Sequence, residues 1–137
     1  MTIYDGPEEF LRQYERTPEA ARTLLAAHWC QSEVCNGGFH QLFSNPTGVL
    51  APEAAAGFQA IGLVNLAEVV RHAMDFFESG YPRDQEVRGA VLDEYAERNG
   101  EAWDPFEALN DRFFGLVAKE QGGWEVAADA YAARHGA

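Results

Sequence analysis

The stretch SEVCNGGFHQLFSNPTG, residues Ser32 to Gly48, decides how the chain folds. Asn36-Gly37-Gly38 supplies residues free to leave helical geometry, so a helix arriving from the N-terminal side ends there. Phe39 and Phe43 are four apart, which predicts one further helical turn with both rings on one side. Asn45-Pro46 then stops that turn. The stretch also crowds Glu33, Asn36, His40, Gln41 and Asn45 around a single corner. Such a crowd can be an active site, or it can be the polar lining that a sharp corner needs. The structural reading is favoured: Asn36 and Asn45 are suited to satisfy loose helix-end groups while Phe39 and Phe43 anchor the turn. The competing reading is a general-base or small-ligand site built from Glu33, Asn36, His40 and Gln41, and it requires an open pocket.

Outward from the corner, both flanks read as helix. Pro7 to about Glu15 is a short one. Thr17-Pro18-Glu19 opens the next, with Thr17 as hydroxyl cap, and the run continues to about Cys35. Pro52 starts a helix that Gly62 closes. Leu63 to about Glu78 follows at three-and-four spacing, and Gly80-Tyr81-Pro82 is a loop. Asp84 caps a helix reaching Asn99-Gly100, with Val87, Val91 and Tyr95 in an inward row. Asp104-Pro105 starts another, with Phe106, Leu109, Phe113 and Leu116 inward, ending at Gly122-Gly123. Trp124 to about Arg134 completes the chain. Nothing alternates as a half-buried strand does. β-Branched residues are scarce, isoleucine occurring only at Ile3 and Ile61. The expectation is an all-α fold, a single compact multi-helix bundle of about seven helices spanning residues 1–137.

Charge narrows the function. Ten basic residues against 22 acidic ones leave −12, which repels nucleic acid and anionic membranes and attracts basic protein surfaces. The start MTIYDGPEEF lacks the order of a signal peptide, no apolar run is long enough to span a bilayer, and two cysteines without a secretory signal suggest reduced thiols. A cytoplasmic protein is expected. The charge is also concentrated. From Asp75 to Asp111, eleven acids face three arginines (Arg83, Arg88 and Arg98), whereas Thr23 to Val70 holds three acids and no Lys or Arg. On helical geometry Glu86, Asp93 and Glu97 fall within about 40° of one another, and Asp104, Glu107 and Asp111 within about 60°. If the two helices pack antiparallel, two rows of carboxylates run side by side, with i and i+4 members ~6 Å apart along the axis. That spacing suits the Lys and Arg of a DNA-binding surface. Glu94 and Glu101 extend the same segment.

Other chemistry finds little support. His28, Cys30, Cys35 and His40 are close in sequence, but the two cysteines lie about 140° apart around a helix and match no zinc pattern. No phosphate loop, dinucleotide fingerprint, nucleophile elbow or HExxH is present. Neither a metal nor a cofactor is expected.

The run EVCNGGFHQLFSNPTG (Glu33 to Gly48), followed by PEAAAGFQAIGLVNLAEVV (Pro52 to Val70), resembles the signature of the DNA-mimic protein family of the DMP-nineteen type. The shared elements are Glu33-Val34, Asn36-Gly37-Gly38-Phe39, Gln41, Phe43, Asn45 and Gly48, then Ala60-Ile61-Gly62 and Ala67, within roughly residues 17 to 80. Cys35 departs from the asparagine usual there. The resemblance implies an acidic, all-helical, usually dimeric protein without a known catalytic activity, in a family whose characterised member presents carboxylates in place of DNA phosphates to a transcription factor. The expected function is therefore a non-enzymatic module whose face of Glu86, Asp93, Glu94, Glu97, Glu101, Asp104, Glu107 and Asp111 occupies the DNA-binding surface of a basic regulator. The alternative partner is a basic nuclease, blocked by an immunity protein or antitoxin.

Overall fold

Helix α2, Glu19–Ser44, is the spine of the computed structural model, which describes residues 7–100 and 103–136. Around it stand α1 (Pro7–Glu15), α3 (Ala51–Ile61), α4 (Val64–Met74), α5 (Gln85–Asn99), α6 (Glu107–Lys119) and α7 (Trp124–His135). Short 3-10 turns occupy Pro46–Leu50 and Glu120–Gly122, and no strand occurs among the described residues. The all-α expectation holds. α2 packs against α3, α5, α6 and α7, α4 bridges α3 to α6, and one continuous apolar core lies between them.

The corner at Gly37-Gly38 is a break inside α2. Gly37 sits at φ −152°, ψ 19° and Gly38 at φ 74°, ψ −176°, after which helical geometry resumes. The break rotates the C-terminal turn so that Phe39 and Phe43, both fully buried, enter the bundle together. Phe39 meets Phe113 edge-on at 5.5 Å between centroids, and Phe43 meets Phe77 at 5.1 Å and Phe106 at 5.3 Å. Burying each such ring contributes ~1.5–3 kcal/mol. Before the break, Ala27, Cys30 and Val34 carry the core stripe.

Several boundaries differ from expectation for identifiable reasons. Thr17 does not cap α2; its hydroxyl donates back to the Gln13 carbonyl at 3.2 Å, closing α1 in a tight junction. α4 stops at Met74, short of Glu78, because the chain must turn to send Phe77 into the core. α6 begins at Glu107, three residues after Asp104, since Phe106 is buried as the chain enters the helix. Gly62 closes α3 at φ 99° as expected, its N–H reaching back to Phe58 and Gln59. Asp84 caps α5, accepting from the N–H groups of Glu86 and Val87.

The inward face of α5 is a correction. Val87 is 49% exposed, while Arg88 is fully buried with Leu92 one turn on. Among the described residues Arg88 has no carboxylate partner. Its Nε donates to the Phe43 carbonyl at 2.8 Å, Nη2 to Asn45 at 3.0 Å, and Nη1 to Pro82 and Arg83 at 3.1 and 2.7 Å. The guanidinium thus replaces the missing partners at the C-terminal, negative end of α2 and ties the 82–83 loop to it. Gly48 leaves the room: a Cβ there would stand 2.9 Å from Arg88 Nη2 and 2.5 Å from the Leu42 carbonyl. The Tyr81 hydroxyl donates to the Gly48 carbonyl, and its ring lies 5.7 Å from the guanidinium carbon.

Candidate functional site

At the corner, the polar residues bind one another. Asn36 Nδ2 donates to Gln41 Oε1 at 3.2 Å, Gln41 Nε2 to Glu33 Oε2 at 3.0 Å, and Asn45 Nδ2 to the same oxygen at 2.8 Å. Gln41 can fold back only because Gly37 has no side chain; a Cβ there would overlap its amide. On the inner side, Phe39 N–H, freed by the break, donates to Asn110 Oδ1 of α6 at 2.9 Å. Asn110 Nδ2 donates to Asp104 Oδ2, and Asp104 Oδ1 accepts from Phe106 N–H. Gly38 is required twice, by its positive φ and because a Cβ would stand 2.7 Å from Asn110 Nδ2. Two networks therefore lock one break. His40 joins neither; it is exposed, with Ser44 Oγ 3.4 Å from its Nδ1. A shallow depression of about 440 Å³ lies beside the outer network, lined by Gln31, Glu33, Asn36 and Gln41.

The thiols are poor ligands and nucleophiles here. Cys30 is buried, which pushes its thiol far above the ordinary range, and partial burial raises Cys35 as well. Both are free, and no group of three or more metal-ligating side chains gathers among the described residues.

The acidic segment behaves differently. Glu86, Asp93 and Glu97 on α5, with Glu107 and Asp111 on α6, are all exposed, and among the described residues no ion pair or side-chain hydrogen bond holds their carboxylates. The segment's arginines are mostly diverted. Arg88 is buried on carbonyls, and Arg83 makes a two-pronged pair with Glu53 of α3 at 2.7 and 2.8 Å. That pair raises the Arg83 pKa further. Arg98 alone stays with the acids, 3.4 Å from Glu94 in an exposed pair. Glu94 is thus partly neutralised, Asp104 is committed to the corner, and Glu101 lies outside the described residues.

α5 and α6 do not pack closely along their lengths, so the condition for two carboxylate rows side by side is not met. α5 rests on α2 and the Pro46–Leu50 turn, and α6 on α4 and α2. Phe106, just before α6, is buried in the core. The helices meet at one end, where a cleft of about 450 Å³ is lined by Tyr95, Trp103, Glu107 and Asp111, with Trp103 66% exposed. The acids form two separate rows, of which the α6 pair Glu107 and Asp111 borders this cleft.

The model of the family described as DMP19-like protein matches residues 15–135, spanning the broken helix and both acidic helices. The chain belongs to the DMP19-like protein family. No curated protein and no solved structure gives a significant match. The family match runs well beyond the residues around the corner that carry the sequence resemblance, and it includes α5 and α6 of this DMP19-like chain. No helix among the described residues is long and apolar enough to cross a membrane.

Sequence reasoning missed Arg88, Asn110 and Glu120. Glu120 caps α4 from across the fold, its carboxylate accepting from Asn65 and Leu66 N–H at 2.9 and 3.0 Å. The only advance signal for Arg88 is its place between Val87 and Val91, four before Leu92.

Proposed function

We propose that this protein is a non-enzymatic binding module that sets the carboxylates of Glu86, Asp93, Glu97, Glu107 and Asp111 against the nucleic-acid-binding surface of a basic partner such as a transcriptional regulator. One observation carries the reading: these five acids are exposed and unpaired among the described residues, while Arg83 and Arg88 turn to other work. Carboxylates left hydrated and uncompensated project a negative field about 8 Å into physiological salt. The corner supports the same reading from the other side. Glu33 Oε2 already accepts from Gln41 and Asn45, and His40 stands apart from it, which supports an architectural role for the corner. A cytoplasmic setting and a homodimer presenting two such faces belong to the same proposal.

The test uses purified DNA-binding regulators from the host and measures their displacement from labelled duplex DNA. The wild-type protein should release the regulator, less effectively as salt rises, and the variant carrying lysine at all five positions should not. Equal displacement by the lysine variant would overturn the reading. Sedimentation velocity, reading one chain or two, decides the dimer.

A further inference from the structure

We propose that the trough between the 75–82 loop and α5 seats an amphipathic, basic helical segment of a protein partner. The proposal rests on the reading above for the sign of the partner's charge, and it adds a second, apolar point of attachment. The trough has a volume of about 940 Å³. Its walls are Phe76, Tyr81, Val87, Val91 and Tyr95, and Val87 stands 49% exposed although the i, i+4 row to which it belongs is apolar. Val91 packs partly against the core and Tyr95 against Phe76, so Val87 is the member of the row left uncovered, which is unfavourable in water unless something else covers it. Phe76 meets Tyr95 edge-on at 5.3 Å, so the floor is held rigid.

The rim names the occupant. Asp75 and Glu78 stand exposed and unpaired among the described residues on the loop side, while on the α5 side Glu94 is paired at 3.4 Å with Arg98, which also lines the trough. Helical geometry puts Glu94 between the Val87–Val91 face, about 20–60° away, and the Glu86–Asp93–Glu97 row, about 60–100° away. A segment lying in the trough therefore brings its basic flank to Asp75 and Glu78 on the loop side. Leucine-like anchors at i, i+3, i+4 and i+7 fill the floor and Lys or Arg flanks meet the rim, which is the helix-in-groove mode. A second copy of this chain fits poorly, because an acidic rim would face a chain of net charge −12. A nucleic acid is excluded by the same sign. An apolar anchor bordered by charge gives discrimination that carboxylate rows alone lack.

The test titrates the protein into a fluorescein-labelled synthetic helix with leucines at that spacing and lysines on its flanks, read by anisotropy. Two control peptides keep the lysines but replace leucine by serine, or keep the leucines but replace lysine by glutamate. Val87→Ser with Val91→Ser, which leaves charge unchanged, should weaken the leucine–lysine peptide at least tenfold. Val87→Ser alone, at an exposed position that the fold does not need, should weaken it severalfold. Amide shifts on binding should cluster at Phe76, Tyr81, Val91 and Tyr95. The proposal is overturned if the peptide does not bind, if either control binds as tightly, if the serine variants bind unchanged, or if Val87→Ser splits a dimer. Lysine at Glu86, Asp93 and Glu97 separates the two readings. Loss of peptide binding there with no effect of the serine variants removes the trough and keeps the acidic face. Loss only in the serine variants keeps the trough and removes the acidic face.

Discussion

The Gly-Gly corner and the acidic face hold similar numbers of polar side chains and treat them oppositely. At the corner, Glu33, Asn36, Gln41 and Asn45 bond to one another, and Asn110 with Asp104 closes the inner side. On α5 and α6 the carboxylates of Glu86, Asp93, Glu97, Glu107 and Asp111 have no such partners among the described residues. Polar groups that satisfy each other hold a backbone in place, whereas hydrated and unpaired ones keep their charge for something outside. The two regions touch in one residue. Asp104, which the charge pattern groups with the acidic stripe, belongs by its hydrogen bonds to the corner.

The contrast predicts that stability and binding separate under mutation. The largest effect is expected at Arg88. Arg88→Ala strips four carbonyls of their donor, two of them at the end of α2, and should lower unfolding free energy by ~3–5 kcal/mol in urea titration. Arg88→Lys should recover only part of it, since an ammonium cannot reproduce the fork. A milder loss in Arg88→Ala than in Val87→Ala would break the assignment of Arg88 as the central tie.

Gly38→Ala comes next, at ~2–4 kcal/mol, because it combines a disfavoured backbone region with a clash against Asn110. Relief of that loss in Gly38→Ala combined with Asn110→Ala would show that the clash dominates over the backbone. The third effect concerns pH. Burial pushes the Tyr14 pKa from 10.0 up to about 12, and its hydroxyl donates to the Arg22 carbonyl. Between those values the unfolded chain loses the phenolic proton while the folded chain keeps it. Stability is therefore whole below pH 10 and falls as pH rises toward 12, by on the order of 2 kcal/mol. Tyr14→Phe should flatten that decline in thermal melts taken across the range.

The smallest effect on stability belongs to the acidic face. Glu86→Gln with Glu97→Gln should shift unfolding by no more than ~0.5 kcal/mol, because relief of repulsion between Glu97 and its neighbours Asp93 and Glu94 is offset by loss of the favourable charge of Glu86 in the first turn of α5. The same pair should weaken displacement of a basic regulator from DNA and reduce its salt dependence. A destabilisation comparable to that of Gly38→Ala would make those carboxylates architectural and erase the contrast.

Much of this is legible in the chain. The break at Asn36-Gly37-Gly38, the inward pair Phe39 and Phe43, the caps at Gly62 and Asp84 and the all-α class follow from local rules, because each depends on a few residues and their backbone preferences. The charge segment is visible too, since counting needs no coordinates. What escaped were bonds between residues far apart in sequence. Arg88 reaches carbonyls more than forty positions away, Asn110 reaches back 71 positions to Phe39, and Glu120 caps a helix 54 positions upstream. The rotation of α5 that buries Arg88 and uncovers Val87 was hidden for the same reason: an apolar period marks a face but does not say what lies against it.

By itself, then, the sequence determined that this protein is helical, where its spine breaks, and that its charge gathers in one third of the chain. The tertiary structure alone decided which of those charges remain available. Burial and pairing withdrew Arg88, Arg83 and Asp104, and α5 and α6 came to pack on different neighbours. Local preference acts through neighbours along the chain. Availability of a charge depends on partners that only folding brings within bonding distance.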